Sequence, residues 1–514
     1  MPRMDIAKID RRIKLGLLAA SVATLLALGA AALRENVFAP WRQVRNQYAG
    51  ILQARATDAR GRDLAEQFEV RVVQNVLPEL GTIDRCITCH PGIDDPRMAN
   101  EPQPFRTHPG DYLVNHPPEK FGCTICHRGQ GRALVFDESK AVGHHWDYPL
   151  LPENLTASAC GVCHGADEVA ANGGAAYALG KTLFEQKGCF SCHKVGGRGG
   201  SLGPALDNEG LKVPGQLVTT HLEGPRTLPQ WLLEHFEDPQ KLVAGSQMRP
   251  PRLSEEELEA LTVYMLSLQQ RDLKGQYLSP AKHLELYKKA HPDPMTGEAL
   301  YGRFCANCHQ TGAFGAYDKF FAKFMPAVRG PYYVQAASPE FLDATIRAGH
   351  PGTLMPAWSK QAGGLSDEEI AKIRDYLLSG PVDPQDRLPA EALAMARDQS
   401  FKAQGNATAG QFIFDLHCAA CHAAGGAGDL APSLANPVFQ EAATDGFLFA
   451  TIAYGRRDAA MPGFLAPNGG GFGPREIENL VTYLRSLRPG TPAAPNVTDL
   501  AARTPSQNES EQVQ

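Results

Sequence analysis

A five-residue pattern, Cys-x-x-Cys-His, occurs six times in this 514-residue chain. It joins Cys86 and Cys89 to His90, Cys123 and Cys126 to His127, and Cys160 and Cys163 to His164. Further on it joins Cys189 and Cys192 to His193, Cys305 and Cys308 to His309, and Cys418 and Cys421 to His422. The chain has 12 cysteines, so the six pairs consume them all. No cysteine remains for a disulfide, a catalytic thiol or a separate sulfur ligand. Two thiols three positions apart can add to the two vinyl groups of one haem, and the adjacent histidine then reaches the iron as proximal ligand. Six copies predict six covalently bound haem c groups.

A lone Cys-x-x-Cys is also half of a zinc site or a thioredoxin-like redox pair. Neither needs a histidine directly after the second cysteine in every copy. A zinc ribbon also needs two close knuckles, whereas Cys89 and Cys123 stand far apart in the chain.

The length allows three or four domains, and haem adds apolar bulk that lets each be small. A net charge of −6 gives no argument for nucleic acid or for an acidic substrate. Aromatic residues make up only 8%, beside 50 glycines and 39 prolines, which points to loop-rich packing around cofactors rather than large sheets. Residues 15–33 are uncharged and mostly Leu and Ala; at 1.5 Å per residue they reach about 28 Å, the depth of a bilayer core. Arg3, Lys8, Arg11, Arg12 and Lys14 precede this run, and positive charge stays inside, so the bulk of the chain is expected outside the cytoplasm. The rival is a signal peptide cut near residues 30–32, whose apolar core would be shorter, about 7–15 residues. The expectation is an uncleaved single-pass anchor in the inner membrane within residues 1–40, with the haem region in the periplasm.

Trp41, Val44, Tyr48 and Ile51 follow the period of an amphipathic helix. Residues 68–77 suit a helix or a strand equally, and 41–80 reads as a stalk or a docking segment. Residues 81–170 hold three motifs, too dense for three independent domains, so the haems must stack with little regular structure between them. The other histidines there are His108, His116, His144 and His145. They supply candidates for three distal positions: His108, His116 and one of His144 and His145, with Met98 as the one competing methionine. Bis-histidine iron is expected.

Three units of similar plan follow, each with one motif. Each opens with a helix running into the motif, from 175, 297 and 409, and closes with a periodic helix, over 253–268, 365–378 and 474–487. Two closing helices begin Leu-Ser-x-Glu-Glu, an N-cap serine before first-turn acids. A tyrosine recurs in all three, at Tyr264, Tyr376 and Tyr483. Between motif and closing helix lie Met248, Met355 and Met461, each followed within two residues by proline. A lone methionine is usually core packing, but three in one relative place read as thioether ligands to haem iron. Met325-Pro326 and His350 are rivals to Met355 in the second unit. Residues 271–294 and 381–404 read as linkers, and the tail 491–514 as disordered.

These three units resemble class I cytochrome c modules, through the motif, a following Gly-Pro or Ala-Pro (Gly203-Pro204, Gly330-Pro331, Ala431-Pro432), the methionine–proline element and the closing helix with its aromatic. The segment 116–127, His-Pro-Pro-Glu-Lys-Phe-Gly-Cys-Thr-Ile-Cys-His, resembles multihaem cytochromes that accompany bacterial quinol-oxidising complexes of cytochrome bc type. The resemblance implies a mainly α protein: an N-terminal transmembrane helix, a loop-rich triheme module over 81–170, then three small helical class I cytochrome c domains in tandem over 171–272, 290–382 and 403–490. It implies electron transfer in a respiratory chain rather than enzymatic turnover. The donor would be a quinol-oxidising cytochrome b/Rieske-type complex, and the acceptor a soluble periplasmic carrier, an oxidase or a reductase. The alternatives are a haem subunit of a reductase, peroxidase or terminal oxidase with one open-coordinate haem, and an assembly subunit held by its anchor and stalk.

Overall fold

The uncharged run lies inside one helix, Ile6–Asn36, exposed along its length and long and apolar enough to cross a membrane. The computed structural model describes residues 6–142, 146–456 and 459–488. His144, His145 and the tail 491–514 lie outside the described residues.

Pro40 sits at the first turn of the next helix, Pro40–Ala54, where its missing N–H costs nothing. That helix buries Trp41, Arg45, Tyr48 and Leu52, while Val44 and Ile51 pack beside them. Residues 68–77 resolve toward strand at their end: Asn75–Leu77 pairs antiparallel with Thr82–Asp84, Asn75 opposite Asp84. The described residues contain three two-stranded sheets and otherwise helices and loops.

The chain forms two compact units. The first comprises the residues up to 165 with 212–231 and 271–280. One apolar cluster in it is Tyr48, Leu52, Met98 and Phe105, Leu77, Leu151 and Leu155 are also buried, and most of its regular elements beyond residue 80 are single helical turns. Part of the expected first linker is fixed here: Gln276 Nε2 and Tyr277 Oη donate to Glu79 Oε2 at 2.6 and 2.9 Å, and Lys274 pairs with the same carboxylate.

The second unit holds 166–211, 232–270 and everything from 281. Its three opening helices, Ala175–Gln186, Gly297–Phe304 and Ala407–His417, each cross a closing helix, Glu255–Ser267, Asp367–Leu378 and Pro474–Ser486. One contact repeats at every crossing. A Cβ on Gly180, Gly297 or Gly410 would lie 1.9 to 2.1 Å from the carbonyl oxygen of Ala260, Lys372 or Asn479, and 2.8 Å from the Cβ of Tyr264, Tyr376 or Tyr483. Only glycine allows so close an approach, which is why the tyrosine recurs four residues on. The two serine caps form as read: Ser254 with Glu257 and Ser366 with Glu369 make reciprocal capping boxes. The last two of these crossed-helix segments share one continuous core, with Phe341 and Phe447 rings 4.9 Å apart. The stretches 280–290 and 390–397, expected as linker, are helices. In the latter Ala392 and Ala396 are buried, one turn apart.

Candidate haem centres

Every motif adopts the same turn. The histidine N–H donates to the carbonyl of the first cysteine at 2.9 Å for His90, His127, His164, His193 and His422, and at 3.0 Å for His309. One helical turn sets thiols at i and i+3 on one face with the imidazole beside them. The 12 cysteines form no disulfide, and Cys421 alone is exposed. Burial pushes the thiols of Cys126, Cys189 and Cys305 up to about 12, the opposite of a reactive thiolate. Burial also holds His90, His127, His309 and His422 below the usual imidazole range, so their lone pairs stay available to a metal.

A proximal imidazole needs its Nδ1 engaged so that Nε2 faces the iron. His193 Nδ1 donates to the Pro204 carbonyl at 2.9 Å and His422 Nδ1 to Pro432 at 2.8 Å. Both prolines belong to the Gly-Pro and Ala-Pro elements read from sequence. In the second unit the partner is Pro326, at 3.2 Å from His309 Nδ1, not Pro331. Pro331 instead starts the helix Pro331–Ala336, as Pro437 starts Pro437–Ala442. This corrects the alignment of Gly330-Pro331 with the other two elements. Pro326 thus lies beside the His309 imidazole, and Met325 lines the same cavity as Met355.

In the N-terminal unit two of the candidate distal histidines each face a motif histidine. The His108 ring centre lies 6.1 Å from that of His127, and His116 lies 5.7 Å from His164. Two imidazoles sharing one metal, with metal–nitrogen bonds of about 2 Å each, have ring centres about 6 Å apart. His108 Nδ1 engages its neighbour's carbonyl at Pro109 (2.8 Å) and His116 Nδ1 that of Tyr112 (3.0 Å), so both present Nε2. The geometry sets His127 against His108 and His164 against His116, a pairing the sequence does not assign. Met98 is fully buried in the small core, which is packing.

Met355 and Met461 line one continuous cavity of about 870 Å³ that also takes in His309, His422 and their cysteines. Both sit in the same turn: the His350 N–H donates to the Met355 carbonyl at 2.9 Å and the Arg456 N–H to that of Met461 at 2.8 Å. His350 thus occupies the place of Arg456. Its Nε2 is buried without a hydrogen-bond partner, and burial with the neighbouring His309 holds its ring below the usual range. Met248 is half-buried in the loop after Pro239–Leu242. The residues fit haem: paired imidazoles with room for one metal, an apolar cavity, and thiols grouped one turn apart.

Neighbouring motifs also touch. The Cys86 and Cys123 thiols face each other, Cys126 lies near Cys160 and Cys163, and Cys192 lies near Cys308 with Arg249 beside both. A Cβ on Gly188 would meet Asn307, inside the next motif, at 2.8 Å. These juxtapositions, and the role of Asp84 below, carry no signal in sequence spacing.

The Cytochrome c family matches residues 177–269, and the family described as cytochrome C oxidase, cbb3-type, subunit III matches 292–377 and 405–484. Among similar proteins, Cytochrome c oxidase subunit 2 of Alkalihalophilus pseudofirmus is 38% identical over 91 residues, 17% of this chain and 25% of that one. The Cbb3-type cytochrome c oxidase subunit FixP of a Bradyrhizobium species is 30% identical over 207 residues, 38% of this chain and 61% of its own. The Fructose dehydrogenase cytochrome subunit of Gluconobacter japonicus is 28% identical over 166 residues, 28% and 33% of the two chains. The chain thus spans between a quarter and about three-fifths of these relatives. The three matched segments are cytochrome c domains.

Proposed function

We propose that this multihaem c-type cytochrome is a membrane-anchored electron conductor with six covalent haems. It would take electrons from a quinol-oxidising cytochrome b/Rieske-type complex and pass them to a soluble periplasmic carrier or a terminal oxidase or reductase. The observation that carries the reading is the facing of imidazoles, His108 on His127 and His116 on His164, at the spacing of two ligands on one metal. Bound haem supplies one-electron redox chemistry. The residues' part is to close both axial faces: His108, His116 and one of His144 and His145 in the first module, and Met248, Met355 and Met461 in the three domains. A site closed on both faces excludes substrate and leaves electron transfer. Methionine raises potential relative to bis-histidine, so the module over 81–170 lies low and the domains over 171–272, 290–382 and 403–490 lie high. Electrons then run from the first module to the last domain. The helix Ile6–Asn36 anchors the chain, with the haem region on the periplasmic side.

The relatives' names favour a second reading, a haem subunit inside an oxidase or dehydrogenase complex with one open haem. Cyanide added to the ferric full-length protein in detergent separates the two. The conductor reading expects every ferric haem to be low-spin before cyanide is added; a high-spin signal that cyanide converts to low-spin supports the enzyme-subunit reading.

A further inference from the structure

Asp84 ends the strand Thr82–Asp84 and is 1% exposed. Its Oδ1 accepts the Cys86 N–H at 2.9 Å, and its Oδ2 accepts the Cys123 and Thr124 N–H groups at 2.7 and 2.9 Å. One carboxylate therefore holds the start of two motifs that are distant in sequence. The two cysteine sulfurs and a carboxylate oxygen all lie within 4.8 Å of one another. The site is built around this side chain: a Cβ on Gly122 would press on Asp84 Oδ2 at 3.2 Å. All three partners are N–H donors, which an ionised carboxylate accepts. No lysine or arginine pairs with Asp84 among the described residues. The carboxylate and the two sulfurs would suit a soft cation only if both thiols were free, and both belong to haem motifs.

We infer that Asp84 is a positioning residue for the first two haems: it fixes their attachment turns edge to edge and sets an uncompensated negative charge at the junction, lowering both potentials. The inference rests on the reading that these motifs carry haem. A buried charge is weakly screened and acts strongly over a few ångströms, and a negative one favours the more positive ferric state. The carboxylate thus acts in the same direction as bis-histidine ligation.

The test is Asp84→Asn in the full-length protein, with haem counted by mass and potentials followed by spectroelectrochemistry. Two potentials at the low end are expected to rise while the three methionine-ligated ones stay fixed, and Asp84→Glu is expected to stay near the parent. Full haem loading with unmoved potentials would overturn the inference and leave Asp84 a backbone clasp. If Asp84→Asn loses haem at motif one or two, Asp84→Thr, whose hydroxyl still accepts an N–H, takes over the potential readout. Loss in both neutral variants with Asp84→Glu loaded supports the charged positioning role, whereas loss in all three variants contradicts it. Fewer than six haems in the parent would defeat the functional reading instead.

Discussion

The N-terminal unit and the cytochrome c domains carry the same motif and build around it in opposite ways. In the second unit a 29-residue core runs from Leu300 to Leu484, and helices cross at glycine. In the first, one described cluster is Tyr48, Leu52, Met98 and Phe105, with Leu77, Leu151 and Leu155 buried as well, and polar contacts do much of the fixing. Asp84 holds two motif turns, Arg45 reaches the Glu69 carbonyl at 2.8 Å and stacks on Phe68, and Glu79 gathers Lys274, Gln276 and Tyr277. On the proposed function, haem would add apolar bulk between these polar clasps, where folding has to offset the chain's conformational entropy. On that reading haem is part of the structure in the first unit and a guest in a structure in the second.

The largest effect expected from this contrast is at the covalent links. Replacing Cys123 and Cys126 by alanine should render residues 81–165 protease-sensitive while the C-terminal domains keep their haems; limited proteolysis with haem staining reads both. A first unit that stays resistant would mean that its fold does not depend on haem. The counterpart in the second unit is Gly410→Val. Its Cβ would meet the Asn479 carbonyl, and overpacking should cost about 3 kcal/mol, seen as a lowered melting point of one domain with the N-terminal haems unaffected.

A smaller effect separates the distal ligands. Met461→Leu keeps volume, so the packing cost is under about 1.5 kcal/mol, yet one high potential should fall and one methionine–iron charge-transfer band should vanish. Met355→Leu should behave alike. If it does not, and His350→Gln shifts that haem instead, the buried His350 Nε2 is the ligand and the second domain joins the bis-histidine class.

Much of this was legible in the sequence, because the haem motif, the closing helices with their caps and the methionine–proline elements are local patterns. His108 and His116 were found by counting histidines against irons in a dense segment, although only the fold pairs them with His127 and His164. Asp84 was invisible, since its meaning lies in joining Cys86 to Cys123 through space. That Pro326, and not Pro331, faces His309 has no local signal, because the carbonyl it offers depends on the return of a loop. The helix Ala390–Arg397 was taken for a linker because its buried face is two alanines, too slight for a periodic signal.

The smallest effect is in the polar fixing of the first unit. Hydrogen bonds from Lys274 and Tyr277 hold the Glu79 carboxyl below its usual range. A depressed carboxyl stabilises the fold above its unfolded pKa and loses that contribution as pH falls through the folded value. Protease cutting at 271–280 should therefore rise only in mild acid, below about pH 4, and Glu79→Gln should remove that pH dependence.

The most direct test of the account is a spectroelectrochemical titration of the full-length protein, with electron paramagnetic resonance at each step. The account predicts six low-spin haems in two groups: three bis-histidine centres at low potential and three methionine-ligated centres at high potential. A high-spin centre, or bis-histidine centres at the high end, would contradict it.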